Sequence, residues 1–532
     1  MRSLALAACL AALPAAAALP PLPEPSPAER ELLGVRFVLA TARVDNAKSL
    51  PEATTKAVLS DYAGKSVGAG ELREIAARLT QAYLDRGYAT SGAVLRSSDP
   101  GRGEAVYEAI EGPVTQVRFV VPPRVASAGW LTSRIVPDPF APAHLGEIQA
   151  RMASLRDEGV VDRINASLEP LPQLGASELV VSVEEPRPWT LSLEYDNYHS
   201  PVVGARRPSL GLSHRNVTGW GDRLDLRVGK TSGLEDVSAS WLGAIPTTRV
   251  LAGLRFERSD ALAIDPPSFR SLEIKTLSET KGADLGWKFL TKPSLDLQAR
   301  LAFDRRKSDT TLLGLPFSFI AGLPDGRARA DVYRASVLAT ERGESDVKFG
   351  RLQVSQGRAT SPIEAVEFAP DTRFTTVFAQ GQYARRLTEG GLQLLARAEA
   401  QYTNDSLLPI ERYSLGGHST VRGYRENVLL RDRGVLVSVE ARAPVWRVEE
   451  RLRLEAGVFV DAAWSGNVRS VPDSLPSRIG SVGLTFLAQG PWGLSARVDL
   501  ALPTRRWLTE NADLQDRGVQ FQLAWSADRV IP

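Results

Sequence analysis

The stretch Arg451-Leu-Arg-Leu-Glu-Ala-Gly-Val-Phe-Val-Asp-Ala-Ala-Trp464 alternates in polarity along most of its length. One face carries the small or apolar side chains Leu452, Leu454, Ala456, Val458, Val460 and Ala462, and the other carries Arg451, Arg453, Glu455, Gly457, Phe459 and Asp461. Because successive strand side chains point to opposite faces, this pattern predicts a β-strand with one apolar face. Such a strand fits a soluble sandwich, with its charges in water, or a membrane barrel, with its charges in a wet lumen.

About sixteen stretches of this alternating kind follow one another from residue 189 to the end of the chain. They begin near Trp189, Arg206, Arg223, Asp236, Arg249, Ser271, Ser294, Ala328, Asp346, Phe374, Leu392, Gly434, Arg451, Arg478, Gly493 and Gly518. Beyond the first residues no run of about 18 apolar residues occurs, which excludes an ordinary helical transporter. Barrel strands need only about 10 residues with every second one apolar, so the pattern favours a transmembrane β-barrel of antiparallel strands.

The N-terminus has the organisation of a secretory signal. Met1-Arg2 is followed by the apolar run Leu4 to Leu13, by Pro14, and by four alanines that predict cleavage after Ala18. An alternative is a lipoprotein box around Cys9, although the apolar run before it is short. Residues 19–33 are predicted to form a Pro-rich linker. Cys9 is the single cysteine among 532 residues, so a multi-thiolate zinc site and an internal disulfide are excluded.

Between the linker and the strands lie two copies of a small α/β unit, predicted at residues 34–112 and 113–188. The first copy has an amphipathic helix from Glu71 to Arg86, whose apolar residues recur at helical spacing, and Gly87 ends it. Val35 to Val44 is predicted to form one strand, and the order is β-α-α-β-β. The second copy repeats this order from Val114, and serial copies of one unit indicate a modular arm.

The residues with the most specific pattern lie in a late loop, Arg412-Tyr-Ser-Leu-Gly-Gly-His-Ser-Thr-Val-Arg-Gly-Tyr424. The pair Gly416-Gly417 allows backbone angles that other residues avoid. It is followed by the tetrapeptide Val421, Arg422, Gly423 and Tyr424.

This tetrapeptide after a Gly-Gly turn resembles the V-R-G-[FY] motif of outer-membrane barrels that carry periplasmic POTRA modules. Gly457-Val-Phe459-Val-Asp461 resembles the G-x-F-x-D strand motif of the same superfamily. The resemblance implies that the loop 412–433 folds into the lumen and that Arg422 pairs with Asp461. From the residues alone, a solvated loop arginine stays open as the alternative for Arg422, and Arg442 or Arg453 as other partners for Asp461.

Two α/β units and about sixteen strands narrow the resemblance to two-partner secretion transporters of the haemolysin activator type. Smaller matches support it: Tyr195-Asp196-Asn197 resembles the family's D-N motif, and residues 215–222 resemble its N-x-x-G-x-G-D turn. The implied fold is a barrel of about 16 strands over residues 189–532, preceded by two POTRA modules. The implied function is secretion, across the outer membrane, of a large exoprotein captured unfolded in the periplasm.

The implied partners are that exoprotein, outer-membrane lipid and the barrel-assembly machinery that inserts the chain. Two other functions stay open: an assembly factor for outer-membrane proteins, and a passive porin-like channel.

Other chemistry is not expected. Lys+Arg is 64 and Asp+Glu is 62, a balance that argues against a nucleic-acid-binding protein. The four histidines are widely separated, so no metal site is predicted. Gly64-Lys-Ser66-Val-Gly68 matches G-x-S-x-G, but it lies in a link between helices and not at a strand-to-helix elbow. The sequence therefore predicts neither an enzyme nor a cofactor.

Overall fold

The computed structural model describes residues 34–527, except for 174, 246–249, 293, 449–450, 470–474 and 507–510. The predicted signal, its cleavage site and the Pro-rich linker lie outside these residues. The chain divides into two compact units. One comprises the described residues up to 120 together with 136–152 and 165–182, and the other comprises 121–135, 153–164 and 183–527.

The first α/β module consists of five short strands and two helices. They are β1 (Phe37–Val38), β2 (Thr41–Asp45), α1 (Glu52–Ser60), β3 (Ser66–Val67), α2 (Ala69–Leu84), β4 (Gly92–Asp99) and β5 (Glu104–Ile110). Strand β5 lies between β2 and β4. Helix α2 places Leu72, Ile75 and Leu79, all fully buried, against the sheet residues Leu95 and Tyr107.

The prediction of one strand from Val35 to Val44 is wrong, because the chain changes sheets there. Strand β1 pairs with β3, whereas β2 pairs with β5. Between them, the backbone N–H of Leu39 donates to the carbonyl of Lys65, and that of Ala40 donates to the carbonyl of Gly103. Ser66, the serine of the G-x-S-x-G match, lies in the two-residue strand β3.

The second α/β module follows directly. Its elements are β6 (Val114–Phe119), α3 (Ala128–Ile135), α4 (Leu145–Asp157), β7 (Arg163–Pro170) and β8 (Ser177–Glu184). Strand β8 is central between β6 and β7, and it runs parallel to β6. The second module thus has the element order β-α-α-β-β that the sequence predicts. The first module departs from it, because β1 and β2 take the place of the first strand and the short β3 lies between the two helices.

Sixteen strands of eight or more residues close a barrel in the described part of the chain. Before the late loop they are β9 (Trp189–Asp196), β10 (Arg207–Arg215), β11 (Arg223–Lys230), β12 (Leu234–Ala244), β13 (Val250–Leu262), β14 (Lys275–Lys292), β15 (Leu295–Leu312), β17 (Arg327–Arg342), β18 (Asp346–Ala359), β19 (Arg373–Arg386) and β20 (Gln393–Thr403), with the two-residue β16 (Leu315–Pro316) paired to β15. The late loop contains β21 (Tyr413–Leu415) and β22 (Leu429–Arg431), and after it come β23 (Arg433–Val448), β24 (Leu452–Gly466), β25 (Arg478–Gln489), β26 (Leu494–Pro503) and β27 (Val519–Ser526). The predicted strand starts are confirmed, and the largest error is Ser271 for a strand that begins at Lys275.

The alternation that predicts the barrel separates its two faces. On β24, Val458 and Val460 are 58% and 54% exposed, whereas Phe459 and Asp461 are 2% and 1% exposed. The valines therefore lie on the outer face of the barrel, and Phe459 and Asp461 face the lumen. No helix in the described residues is long and apolar enough to cross a membrane.

The strands differ strongly in how much they pair. Strands β14 and β15 have 18 residues each and pair along almost their whole length, from Lys275 opposite Thr311 to Lys292 opposite Leu295, with one register shift between Lys288 and Leu290. The closing pair, β27 with β9, runs only from Gln522 opposite Asp196 to Ser526 opposite Ser192. We call this closing pair of strands the seam. Among the sixteen barrel strands in the described residues, its ladder is the shortest.

Candidate functional site

The loop between β20 and β23 enters the barrel as a hairpin. Strand β21 pairs with β22, from Tyr413 opposite Arg431 to Leu415 opposite Leu429. We call residues 412–433 the lumen loop and residues 416–424 its tip. At the start of the tip, Gly417 has φ +106°, and a Cβ there would overlap the carboxylate of Glu426. Gly416 beside it has φ +98°, so the predicted turn is formed by two glycines in conformations that other residues rarely adopt.

The structure brings Arg422 and Asp461 together. Arg422 Nε lies 2.8 Å from Asp461 Oδ2, and Nη2 lies 2.8 Å from Oδ1. The backbone N–H of Arg422 also donates to Asp461 Oδ2 over 3.0 Å. The side chains of Arg422 and Asp461 are 5% and 0% exposed, so the contact is a buried bidentate pair that joins the loop tip to β24.

Two further carboxylates complete an acidic pocket around the guanidinium. Glu440 Oε2 lies 2.6 Å from Arg422 Nη1, and Asp499 Oδ1 lies 3.7 Å from the same atom. The guanidinium also stacks on an aromatic ring, since the Arg422 Cζ lies 3.4 Å from the centroid of the Phe459 ring. We call Asp461, Glu440, Asp499 and Phe459 the tip pocket. Arg497 also pairs with two of these carboxylates, with its Nη2 3.5 Å from Glu440 Oε2 and its Nε 2.8 Å from Asp499 Oδ2. Removing Arg422 would therefore leave the buried Asp461 unpaired, which typically costs about 3–5 kcal/mol.

The alternative partners proposed for Asp461 pair elsewhere. Arg442 Nε lies 3.3 Å from Glu455 Oε2, and Arg453 Nη2 lies 2.6 Å from Glu455 Oε1. Asp461 instead accepts a hydrogen bond from the hydroxyl of Ser438, over 2.7 Å. The reading of Arg422 as a solvated loop residue is also not supported, because the residue is only 4% exposed.

The other predicted tip residues fix the position of Arg422. Gly423 has φ +86°, and a Cβ there would lie 2.6 Å from the Cβ of Ala501 on β26. The hydroxyl of Tyr424 donates to the carbonyl of Gly480 over 3.0 Å. Val421 is fully buried in a cluster with Leu415, Leu429, Leu436 and Ile479. Gly457 lies on β24, where a Cβ would lie 2.7 Å from the carbonyl oxygen of Ala441.

The base of the lumen loop has an anchor of its own, which the sequence did not reveal. Glu411, directly before the loop, has a side chain that is 3% exposed. Its carboxylate accepts hydrogen bonds from Arg306 Nη1 over 2.8 Å, and from Arg334 Nη2 over 3.0 and 2.9 Å. These arginines lie on β15 and β17, and we call the two of them the base pocket. The alternation of side chains along β15 and β17 could have predicted that both arginines face the lumen. It could not have predicted that they lie beside Glu411.

A buried aspartate joins the two stems of the loop. Asp432 accepts hydrogen bonds from the backbone N–H groups of Leu407 over 3.0 Å and Val468 over 2.9 Å. Arg412 Nε lies 3.3 Å from the same carboxylate. The amide of Gln401 on β20 donates to the carbonyls of Glu411 and Asp432. The stems are therefore held as one body, so the two pockets position a stiff hairpin and not two independent segments.

The loop also touches the seam. The ring of His418 stacks on that of Tyr198, with centroids 3.7 Å apart and planes 4° apart. Asn197, of the predicted D-N motif, extends the short ladder: its Nδ2 donates to the carbonyl of Val519 over 2.9 Å, and its Oδ1 accepts from the N–H of Phe521 over 2.7 Å. A cavity of about 540 Å³ next to this contact is lined by Arg422, Glu440, Arg397 and Arg497, among others.

The predicted turn at 216–222 joins β10 and β11 and packs against residues 121–135. Its Gly219 carbonyl accepts a hydrogen bond from the N–H of Ser127 over 2.8 Å, and a Cβ at Gly221 would lie 2.6 Å from the Trp130 ring. Burial acts to raise the pKa of Asp222, but hydrogen bonds from Thr218 and from Trp241 outweigh burial and hold that pKa below its usual range. The turn is thus held in one conformation by its own aspartate.

No group of three or more His, Cys, Asp or Glu side chains that could hold a metal ion occurs among the described residues. Many of the charged groups in the lumen are instead paired as guanidinium and carboxylate, as in Arg422 with Asp461 and Arg300 with Asp284. Such an arrangement can hold and release a loop, and it presents a polar path to a passing chain.

Comparison with known proteins gives two family models that match. One, described as haemolysin secretion/activation protein ShlB/FhaC/HecB, matches residues 175–484. The other, the ShlB-type POTRA domain, matches residues 37–112. Among curated proteins, the chain is 23% identical over 486 residues to the outer membrane transporter CdiB-2 of Burkholderia pseudomallei, covering 85% of this chain and 80% of that protein. It is 22% identical over 509 residues to the heme/hemopexin transporter protein HuxB of Haemophilus influenzae, covering 88% and 82%.

Solved structures show the same fold. CdiB from Escherichia coli superposes with a TM-score of 0.67 at 18% identity, covering 93% of this chain and 91% of that one. BamA from Haemophilus ducreyi lacking POTRA domains 1–3 superposes with a TM-score of 0.55 at 15% identity, covering 92% of this chain and 100% of that one. At these identities the likeness concerns the fold alone.

Proposed function

The chain belongs to the haemolysin secretion/activation protein family of outer-membrane transporters, and on this basis we propose that its two POTRA modules capture an unfolded exoprotein in the periplasm. The family resemblance predicted from residues 421–424 and 457–461 is confirmed. The chain is a transporter and not an enzyme, and it carries exoproteins across the outer membrane. We assign residues 34–112 and 113–188 to the two modules and 189–532 to the barrel.

The capture step follows from the free edges of the module sheets. In the second module β8 is central, so β6 and β7 are edge strands among the described residues. An edge strand presents unpaired backbone N–H and C=O groups, to which an extended chain can add as a further strand. Because such pairing uses backbone hydrogen bonds and not particular side chains, it suits an unfolded substrate of varied sequence.

Capture can be tested with a photo-crosslinking residue in the living cell. Gln116 on the edge strand β6 is exposed, and Arg156 on helix α4 is an exposed control in the same module. We expect a crosslinker at Gln116 to trap the exoprotein and one at Arg156 not to trap it. Equal trapping at both positions would contradict capture by strand addition.

We further propose that Arg422 and the tip pocket hold the lumen loop in the position required for transport. The observation that carries this proposal is the buried bidentate contact of Arg422 with Asp461, reinforced by Glu440. Folding of the exoprotein outside the cell would then give transport its direction. Outer-membrane lipid surrounds the apolar faces of the strands, and the barrel-assembly machinery would insert the chain.

The experiment is quantitative proteomics of the medium and outer membrane of a deletion strain, complemented with wild type or with Arg422→Ala. We expect one large protein to vanish from the medium and to return only with wild type. Loss of specific barrels from the outer membrane, with an unchanged medium, would instead indicate an assembly factor. Solute permeation that survives Arg422→Ala, with no protein missing anywhere, would indicate a porin.

A further inference from the structure

On the outer face of strands β14, β15, β17, β18 and β19, the side chains form rows that run across the strands. The polarity of these rows changes from one row to the next, two residues further along each strand. One row across these strands is apolar: Leu285, Leu301, Ala335, Val354 and Val377 are successive cross-strand partners. Leu301 and Leu285 in this row are 64% and 55% exposed, as lipid-facing side chains should be. Each following row on the same face lies roughly 6–7 Å further along the strands.

The next row towards the rim opposite turn 216–222 is aromatic and polar. It consists of Ala283, Phe303, Tyr333, Gln356 and Thr375. The Phe303 and Tyr333 rings have centroids 5.1 Å apart, and Tyr333 is 65% exposed. Aromatic girdles of this kind mark the boundary between acyl chains and headgroups on barrels.

The row beyond the girdle is basic. Lys281, Arg305, Asp331, Arg358 and Arg373 are successive cross-strand partners, four cations and one anion. Asp331 is engaged by Arg305, whose Nε and Nη2 lie 2.9 and 3.2 Å from its two carboxylate oxygens. The row therefore carries excess positive charge at the depth of the headgroups.

Arg358 and Arg373 form the unusual part of this row. They lie directly opposite each other on β18 and β19, both exposed, and like charges in that arrangement destabilise a sheet. Neither guanidinium has an ion pair or a side-chain hydrogen bond to another described residue. Both line a cleft of about 920 Å³ together with Tyr333, Gln356 and Asp405.

We propose that Arg358 and Arg373 bind the phosphate of a phosphorylated lipid headgroup in the outer leaflet of the outer membrane. Two guanidinium groups facing one cleft present paired donors that match phosphate oxygens. The girdle and apolar row below would contact the sugar or glycerol and the acyl chains of the same lipid. A phosphate between the two arginines also removes their mutual repulsion.

The test is native mass spectrometry of the detergent-solubilised full chain, titrated with bisphosphorylated lipid A and with the same lipid after removal of its phosphates. We expect wild type to bind the phosphorylated lipid and the double variant Arg358→Gln with Arg373→Gln to bind it about tenfold more weakly, because charge-assisted hydrogen bonds are lost. The matched control is Lys348→Gln with Arg385→Gln, which removes two outward cations from the same strands at the opposite rim, and it should bind as wild type does.

Several outcomes would overturn the proposal. Equal binding of the lipid by wild type and by the Arg358/Arg373 double variant would show that these arginines do not form the site. Equal binding of the dephosphorylated lipid would show that the phosphate is not what is recognised. Competition by inorganic phosphate as effective as by the lipid would make this a free-anion site. Folding of each variant is checked by its retarded migration on unheated gels, and Arg358→Lys with Arg373→Lys, which keeps the charges, should bind with intermediate strength. Secretion is not the readout, so the proposal fails or stands independently of the proposed function.

Discussion

The tip and the base of the lumen loop are both held by buried charges, but with opposite sign. At the tip the loop supplies the cation, Arg422, to the carboxylates of the tip pocket. At the base it is preceded by an anion, Glu411, which lies between the arginines of the base pocket. A loop displaced along the lumen, so that its tip reached the base pocket, would place Arg422 beside Arg306 and Arg334. Like-charge repulsion therefore disfavours that arrangement relative to the observed one.

The largest effect is expected from Arg422→Ala. The substitution leaves the buried Asp461 without a cation, whereas Glu440 and Asp499 keep Arg497. A penalty of about 3–5 kcal/mol would reduce the population of the docked tip by 100-fold or more. We expect secretion to be abolished while barrel abundance stays near normal, because the strand ladders do not depend on Arg422. Immunoblots of medium and outer membrane measure both. Loss of the barrel itself would make Arg422 a structural residue.

Glu411→Gln should have a smaller effect. The amide keeps its shape and one acceptor, and Arg334 retains Asp304, whose Oδ2 lies 2.9 Å from its Nε. A hydrogen bond to a charged group contributes about 1.5–3 kcal/mol, and the substitution removes the charge from those that Glu411 accepts. We therefore expect secretion to fall roughly tenfold.

The matched control for Glu411 is Asp284→Asn. Asp284 is also a luminal carboxylate with a bidentate arginine, since Arg300 lies 2.8 and 2.7 Å from its oxygens, but it holds two wall strands and no loop. We expect its secretion to be near wild type. An equal loss in both variants would indicate that luminal charge matters, and not the anchoring of the loop base.

Gly423→Ala examines the tip without changing its charge. The added methyl lies 2.6 Å from Ala501 Cβ and demands a left-handed backbone at a residue with a side chain. A strain of about 1–2 kcal/mol predicts a several-fold loss of secretion. Measured secretion equal to that of wild type would show that the tip tolerates displacement. Gly350→Ala is the control, since nothing lies within 4 Å of its Cβ position.

Tyr424→Phe should have the smallest effect. It removes the hydroxyl that donates to Gly480 but leaves the buried ring in place. The hydroxyl also accepts a hydrogen bond from the N–H of Arg505 and shares one with the Thr504 hydroxyl, both over a longer 3.2 Å. A neutral hydrogen bond contributes about 0.5–1.5 kcal/mol, so secretion should fall by no more than several-fold. A loss as large as that of Arg422→Ala would show that the tip pocket is not the principal anchor.

The strands could be predicted from the sequence because their period of two is local, and the tip anchor because Arg422 and Asp461 each lie in a contiguous motif. Glu440 and Asp499 could be placed in the lumen by the alternation along their strands. Their distance from Arg422, however, depends on the pairing of four strands, β23 to β26. Glu411 and its arginines are 77 and 105 residues apart in sequence. Nothing local to those residues indicates that they meet.

The most direct test of the two-anchor account is a distance measurement between spin labels on the loop and the wall. The only cysteine of the chain is Cys9, so labels can be placed at Ser419→Cys on the tip and Ser345→Cys on the rim with little background. Double electron–electron resonance should give one narrow distance in the otherwise wild-type protein and in Asp284→Asn. Arg422→Ala should broaden it, and Glu411→Gln should broaden it less. An unchanged narrow distance in Arg422→Ala would contradict the claim that the tip pocket holds the loop.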